Sequence, residues 1–204
     1  MRTAASVDAG YGLSPAGART GIVGMWVTLS GILMLFTALT SAYIVRAGLS
    51  DDWRPLVMPR LLWLSTALIL ASSVSLEIGR RCLKRGKDQA YSRWLLLTVV
   101  LGVSFLGAQL LAWRELVAQG VYIATNPHSS FFYLLTGTHG VHLLVGILAL
   151  DYLLLRARRR GSSSSDSQGE SLRKQQTAAD VVALYWHFMG GLWVYLFLLL
   201  FLWR

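Results

Sequence analysis

The chain has few of the residues on which most soluble enzymes depend. Only 14% of its 204 residues are charged, and Cys82 is its one cysteine. A single cysteine excludes an intrachain disulfide and a thiolate metal cluster. The formal net charge is +9, but the basic residues do not form a groove interleaved with aromatic residues. The sequence therefore predicts no binding to nucleic acid.

Long apolar runs make up most of the chain and leave no room for a sizeable soluble domain. Hydrophobic residues are 54% of the total. A helix needs about 20 mainly apolar residues to cross about 30 Å of hydrocarbon. We therefore expect an all-α fold, a polytopic bundle of five transmembrane helices. The five runs are residues 21–45, 61–78, 94–113, 131–155 and 179–203.

The short loops between the runs differ in charge, and this difference predicts the orientation. Loops 80–93 and 156–178 are rich in Lys and Arg, whereas loops 46–60 and 114–130 are nearly neutral. Basic loops are retained on the cytoplasmic side of a membrane. We therefore expect the N-terminus and the two basic loops in the cytoplasm, and the C-terminus outside.

Two segments outside the runs have the composition of tails or linkers. Residues 1–20 are polar and rich in Gly and Ala, and they form an N-terminal tail before the membrane domain of residues 21–204. Residues 161–169 read GSSSSDSQG, which predicts that the inner loop 156–178 is flexible.

The cations of the inner loops are candidates for binding lipid headgroups. A Lys or Arg near an anionic membrane surface gains about 1 kcal/mol. A role in orientation alone is the alternative explanation. The candidate residues are Arg80, Arg81, Lys84, Arg85, Arg156, Arg158, Arg159 and Arg160.

Histidines are the main candidate ligands inside the membrane. His139 and His142 lie three residues apart on one helix face, and His187 lies on the last helix. Because His142 and His187 are expected at similar depths in the membrane, a haem or small-molecule site between them is an alternative. We instead expect interhelical hydrogen bonds from these imidazoles, because the first three runs contain no histidine and carboxylate partners are few. His128, in the outer loop, is expected to be solvated.

Charged residues within the runs are too few to indicate an ion or proton pathway. Glu77 is expected to pair with Arg80 or Arg81 at i+3 or i+4 spacing. Gln109 and Thr136 add capacity for interhelical hydrogen bonds. These residues indicate a charge-poor bundle without a metal or catalytic site of its own, which is typical of a subunit of a larger complex.

Four segments carry motifs that are informative in combination. Residues 131–143 read FFYLLTGTHGVHL, residues 185–188 read YWHF and are followed by Trp193, residues 24–26 read GMW, and residues 101–109 read LGVSFLGAQ. Together, in this order, they resemble the helices of cytochrome c oxidase subunit III in its short five-helix form. The resemblance covers about residues 20–204. The signature residues are Gly137, His139, Gly140, His142, Tyr185, Trp186, His187, Phe188 and Trp193.

The resemblance implies a subunit that contains no catalytic centre and no cofactor. In this family, haem and copper are carried by partner subunits, here expected to be subunits I and II, with a small subunit IV as a further candidate. Subunit III supports oxygen reduction and proton pumping by the catalytic subunit, and it binds phospholipid in a cleft between its helices. Electrons from cytochrome c or quinol arrive through other subunits. The expected location is a bacterial cytoplasmic membrane.

The resemblance leaves alternatives open and contains two departures. Related subunits occur in quinol oxidases and with nitric oxide reductases, and an independent haem-binding or transport protein is an alternative of another class. Gly31 and Gly190 stand where the family commonly has acidic residues, so a proton-buffering role of the first carboxylate cannot be transferred to this chain. The small residues Gly190 and Gly191 are expected to admit a lipid chain or a neighbouring helix.

Overall fold

The computed structural model describes residues 15–49, 61–122, 127–160 and 168–202, and these ranges contain helices and short turns without a strand. All five helices are long and apolar enough to cross a membrane. This confirms the predicted all-α fold with five spans. The helices are α1 (Pro15–Leu49), α2 (Leu61–Lys84), α3 (Asp88–Ala118), α4 (Pro127–Arg160) and α5 (Gln168–Leu202).

The helices are longer than the apolar runs that predicted them. Helix α4 continues to Arg160 and α5 begins at Gln168, so the connection between them is much shorter than the expected loop 156–178. Residues 161–167, which carry most of the linker composition, lie outside the described residues, as do residues 1–14 of the expected tail. Arg, Lys, Gln and Ala are strong helix formers, and a helix can therefore continue after its apolar run has ended.

Four of the helices form a closed ring. Helix α2 packs against α3, α3 against α4, α4 against α5, and α5 returns to α2. Neighbouring helices in the ring are antiparallel: Ser65 near the start of α2 contacts Gln109 near the end of α3, and Ser75 contacts Thr98. Helix α1 packs outside the ring, against α4 and α5.

Two tight helix ends set the direction of the chain between ring helices. Gly86 after α2 and Gly120 after α3 have positive φ angles of 69° and 78°, which glycine adopts without steric cost. The amide of Lys87 donates to the carbonyl of Cys82 at 3.0 Å, and the amide of Val121 donates to the carbonyl of Leu116 at 3.0 Å. Both ends are Schellman motifs, which satisfy carbonyls that a helix end leaves free.

The antiparallel order brings the charged helix ends together. The end of α2, the start of α3, the end of α4 and the first part of α5 lie at one end of the ring, here called the inner end after the predicted orientation. The opposite end, where α3 connects to α4, is the outer end. The two basic loops thus belong to the same end of the bundle, while its direction across the membrane stays a prediction.

Candidate functional site

Trp186 occupies the interior of the ring and contacts three other helices. Its side chain is completely buried, and its indole Nε1 donates to Ser72 Oγ of α2 at 3.0 Å. The ring lies beside Gly102 of α3 and Gly146 of α4, where an added Cβ would come within 2.8 Å and 3.1 Å of indole atoms. These two glycines therefore provide the space that the indole needs.

Two further tryptophans join helices in the same way. Trp193 Nε1 donates to Thr66 Oγ1 at 3.0 Å, and Trp113 Nε1 donates to Thr136 Oγ1 at 3.2 Å. Each threonine hydroxyl donates its proton to a carbonyl one turn earlier in its own helix, at 2.8 Å for Thr66 and 2.6 Å for Thr136. The oxygen is thereby left with lone pairs that accept from the indole. These bonds hold α5 to α2 and α3 to α4.

Hydroxyl and amide groups also join α2 to α3. Gln109 Nε2 donates to Ser65 Oγ at 3.0 Å, and Thr98 Oγ1 lies 3.1 Å from Ser75 Oγ. Ser75 Oγ in turn donates to the carbonyl of Trp94 at 3.1 Å. The interhelical bonds predicted for Gln109 and Thr136 are thus confirmed.

His139 is fully buried, but neither of its ring nitrogens has a hydrogen-bond partner among the described residues. It lies among aromatic rings, with centroids 5.2 Å from Trp193, 6.0 Å from Phe105 and 6.4 Å from Phe36. The expected interhelical hydrogen bond of this histidine is therefore absent in the described structure. Residue spacing indicated the helix face correctly, but not the apolar character of the side chains opposite it.

His142 and His187 have different surroundings. His142 Nδ1 lies 2.8 Å from the carbonyl of Thr138 in its own helix, and the carbonyl of His142 accepts a hydrogen bond from the Tyr185 hydroxyl at 2.7 Å. His187 is exposed on the surface of α5. No described contact joins the two imidazoles. Among the described residues, no three His, Cys, Asp or Glu side chains lie together as a metal site.

The expectation that His128 is solvated is wrong. His128 lies in the first turn of α4 and is completely buried, with its ring 5.9 Å from the ring of Tyr43 in α1. Helix α4 begins at Pro127, before the apolar run that starts at Phe131, and α1 covers this first turn.

A charge network joins α2 to α5 at the inner end. Glu77 accepts from Arg80 at 2.8 Å and from Arg81 at 3.2 Å, which confirms the predicted pairing within α2. Arg80 also pairs with Asp180 of α5, to which its Nε donates at 3.1 Å, and Lys84 lies 3.9 Å from the same carboxylate. The link to Asp180 was not predicted, because no spacing rule relates residues on different helices.

The network divides the candidate lipid-binding cations into two groups. Arg80, Arg81 and Lys84 already face carboxylates of the chain. For the other cations with described side chains, no ion pair occurs within the described residues; the side chain of Arg160 is outside them. This second group consists of Arg85, Arg156, Arg158 and Arg159, and Arg85, Arg158 and Arg159 are exposed.

The signature glycines of α4 and the adjacent glycines of α5 differ in what they face. An added Cβ at Gly137 would lie 3.4 Å from Trp113, and one at Gly140 would lie 3.9 Å from Leu106. Gly190 is buried, and its added Cβ would lie 3.3 Å from Ser73 Oγ, so this position admits a neighbouring helix of the same chain, α2. Gly191, in contrast, has open space beside it.

An apolar groove of about 500 Å³ lies between α1 and α5 beside Gly191. Phe36 and Thr37 line it from α1, and Phe188 and Leu192 line it from α5. An added Cβ at Gly31 would also meet nothing within 4 Å, so a side chain at this position would face open space.

The chain is similar to known proteins over most of its length. Residues 17–204 match the family model of cytochrome c oxidase subunit III. The chain is 33% identical over 179 residues to the probable cytochrome c oxidase subunit 3 of Nocardia farcinica, covering 86% of this chain and 84% of that protein. It is 28% identical over 187 residues to cytochrome c oxidase subunit 3 of Thermostichus vulcanus, covering 89% and 86%. It is also 28% identical over 184 residues to quinol oxidase subunit 3 of Bacillus subtilis, covering 88% and 85%.

Proposed function

Because this chain belongs to the cytochrome c oxidase subunit III family, we propose that it is the non-redox subunit III of an aerobic terminal oxidase in a bacterial cytoplasmic membrane. Membership of the family makes it a multi-pass membrane protein and a component of a haem-copper oxidase complex. The proposal adds its role: the chain supports oxygen reduction and proton pumping that take place in a partner subunit. Haem and copper would be held by subunits I and II.

The observation that carries the proposal is the close packing between helices in the interior of the ring. Three indole groups donate to hydroxyls of neighbouring helices, and the largest buried side chains include Trp186, Trp193 and Phe105. These contacts fix the positions of four helices relative to one another. A rigid ring of this kind suits a subunit that presents a defined surface to a catalytic partner.

Phospholipid binding is the second part of the proposal. The cations best placed for headgroups at the inner end are Arg85, Arg156, Arg158 and Arg159, because Arg80, Arg81 and Lys84 are paired with carboxylates. Each surface cation contributes about 1 kcal/mol to the attraction of anionic lipid. The groove beside Gly191 has the apolar lining that an acyl chain would contact.

The electron donor is cytochrome c in the main proposal and quinol in the second candidate. The chain is similar to subunit 3 of a cytochrome c oxidase and to subunit 3 of a quinol oxidase, and this similarity supports both candidate donors. The donor would bind to another subunit in either case, so the residues of this chain support a common role in both complexes.

The test is purification of the tagged chain from its native membrane in mild detergent, with an untagged strain as control. We expect mass spectrometry to identify a haem-binding subunit I and a subunit II, and the reduced-minus-oxidised spectrum to contain the haem bands of an oxidase. Oxygen consumption with reduced cytochrome c or with quinol then identifies the donor. A chain recovered alone, or with a Soret band of its own, would overturn the proposal in favour of an independent protein.

A further inference from the structure

A groove of about 1080 Å³ lies between α3 and α4 near the outer end of the bundle. It is called the α3–α4 groove here, and its volume is larger than that of the groove beside Gly191. Its lining is mainly apolar and aromatic and includes Leu110, Trp113, Val117, Tyr133 and Leu134. It is distant from the inner end, where the basic clusters lie.

The walls of the α3–α4 groove are held by specific contacts. Trp113 Nε1 donates to Thr136 across the two helices, and the Trp113 and Tyr133 rings pack edge to face with centroids 5.6 Å apart. The Tyr133 hydroxyl donates to the carbonyl of Val121 at 3.0 Å. An added Cβ at Gly137 would lie 3.4 Å from the indole, so this glycine lines the same contact. The groove is therefore pre-formed, which lowers the entropic cost of binding an occupant.

One cation, Arg114, lines the α3–α4 groove, and within the described residues it makes no ion pair or hydrogen bond through its side chain. The adjacent acidic residue, Glu115, points about 100° around the helix from it. Arg114 lies next to Trp113 at the end of the apolar run, the depth at which aromatic residues mark the membrane interface. Its long side chain can bury its stem while the guanidinium reaches the headgroup layer.

Polarity changes along the groove in the direction of the membrane normal. Ser130 and Tyr122 lie in its outer part. Leu134 lies four residues, or about 6 Å, deeper than Ser130 on α4, and Leu110 lies four residues, or about 6 Å, deeper than Arg114 on α3. A phospholipid has the same order of chemistry, with a phosphate at the surface and acyl chains below it. A bidentate guanidinium–phosphate contact is also among the strongest polar interactions available at this depth.

We propose that the α3–α4 groove binds one phospholipid of the outer leaflet, with its phosphate on Arg114 and an acyl chain along Leu110 and Leu134. The inference rests on the proposed function, since the bound lipid is to be measured in the purified oxidase complex. It adds a lipid site separate from the inner basic clusters. The lipid would fill the space between α3 and α4 where side chains of the chain leave a gap.

The test counts phospholipid molecules in the purified complex by native mass spectrometry and by phosphorus analysis. We expect Arg114→Gln, which removes the phosphate contact, and Leu134→Trp, which fills the groove, each to lose one phospholipid per complex. Arg114→Lys should retain part of the binding. The matched controls are Glu115→Gln, which changes the neighbouring charge, and Leu148→Trp, which changes an exposed residue of α4 outside the groove; both should keep the wild-type number.

An unchanged number in both Arg114→Gln and Leu134→Trp would overturn the inference. A photoreactive benzoylphenylalanine at residue 134 provides a second readout: a lipid adduct supports the proposal, and cross-linking to another subunit overturns it. If the chain purifies without oxidase subunits, the proposed function fails, but the same variants still decide the lipid site on the isolated chain.

Discussion

The ring of α2 to α5 and helix α1, which packs outside the ring, contain similar hydroxyl residues that form different hydrogen bonds. In the ring, Ser72 and Thr66 accept hydrogen bonds from tryptophans of another helix. In α1, Thr28, Ser30 and Thr37 donate to carbonyls four residues earlier in the same helix. Composition alone therefore does not distinguish a hydroxyl that joins two helices from one that satisfies its own helix.

Aromatic packing contributes to the attachment of α1 to the ring. Phe36 is almost fully buried and lies with its centroid 6.4 Å from His139 and 5.8 Å from His142. Tyr43 packs against Phe131 at 5.8 Å. We infer that α1 can separate locally while the ring stays assembled, and substitutions in the two regions should have different consequences.

The largest effect is expected for Gly102→Leu, which acts on the ring. The first added atom would already lie 2.8 Å from the Trp186 indole, a rigid ring system that also lies beside Gly146. Overpacking usually costs up to about 3 kcal/mol, but here neither contact can move freely. We expect loss of the folded chain from the membrane fraction, measured by gel filtration after mild solubilisation.

Gly107→Leu is the matched control on the same helix. An added Cβ at Gly107 meets nothing within 4 Å, so this variant should be recovered at the wild-type level. Equal recovery of the two variants would contradict the packing described for Trp186.

Phe36→Ala should produce the next largest effect, confined to α1. Truncation of a buried phenylalanine costs about 3 kcal/mol or more in protein cores. We expect faster hydrogen–deuterium exchange along α1 with little change in α2 to α5. Met34→Ala, at a position that is 74% exposed in the same helix, should leave the exchange unchanged. Faster exchange throughout the ring in Phe36→Ala would show that α1 is not a separable unit.

The same substitution, serine to alanine, compares a hydroxyl that joins two helices, at Ser72, with one that bonds within its own helix, at Ser30. Ser72→Ala leaves the buried Trp186 indole without its acceptor, whereas Ser30 is exposed and bonds to its own helix. Hydrogen bonds between membrane helices contribute about 0.6 kcal/mol on average, and a buried donor without a partner costs about 1 kcal/mol or more. We expect a loss of about 1 kcal/mol in the free energy of unfolding for Ser72→Ala and no change for Ser30→Ala. Equal losses of unfolding free energy in the two variants would contradict the distinction between the ring and α1.

The features that were predictable from sequence are local or set by the membrane. The five helices were predictable from the lengths of the apolar runs, because the thickness of the bilayer sets the length that a spanning helix needs. The pairs of Glu77 with Arg80 and Arg81 follow from one turn of helix.

Features that depend on which helices become neighbours were not predictable. Ser72 and Trp186 are 114 residues apart, and Arg80 and Asp180 are 100 apart. The motif resemblance identified Trp186 as a signature residue but did not indicate which residues it contacts. His128 was placed in a loop because the apolar run begins three residues later, although α4 itself begins at Pro127.

The smallest effect is expected for His139→Leu, even though His139 is a signature residue. Its two nitrogens are buried without partners among the described residues, and its neighbours are Phe36, Phe105 and Trp193. Replacing an unsatisfied polar group with an apolar one of similar size recovers its desolvation cost, about 1 to 3 kcal/mol, and this offsets the lost ring contacts. We expect the free energy of unfolding of the isolated chain to change by less than about 1 kcal/mol.

The same variant shows whether the imidazole acts in the chain or in the complex. A buried polar group that does not contribute to stability is a candidate for a role outside folding. If His139→Leu leaves the chain stable but lowers the turnover or lifetime of the assembled oxidase, the histidine serves the complex. A loss of stability as large as that of Phe36→Ala would instead show that the imidazole has a partner in the folded chain, and the aromatic surroundings would then be an incomplete description of its site.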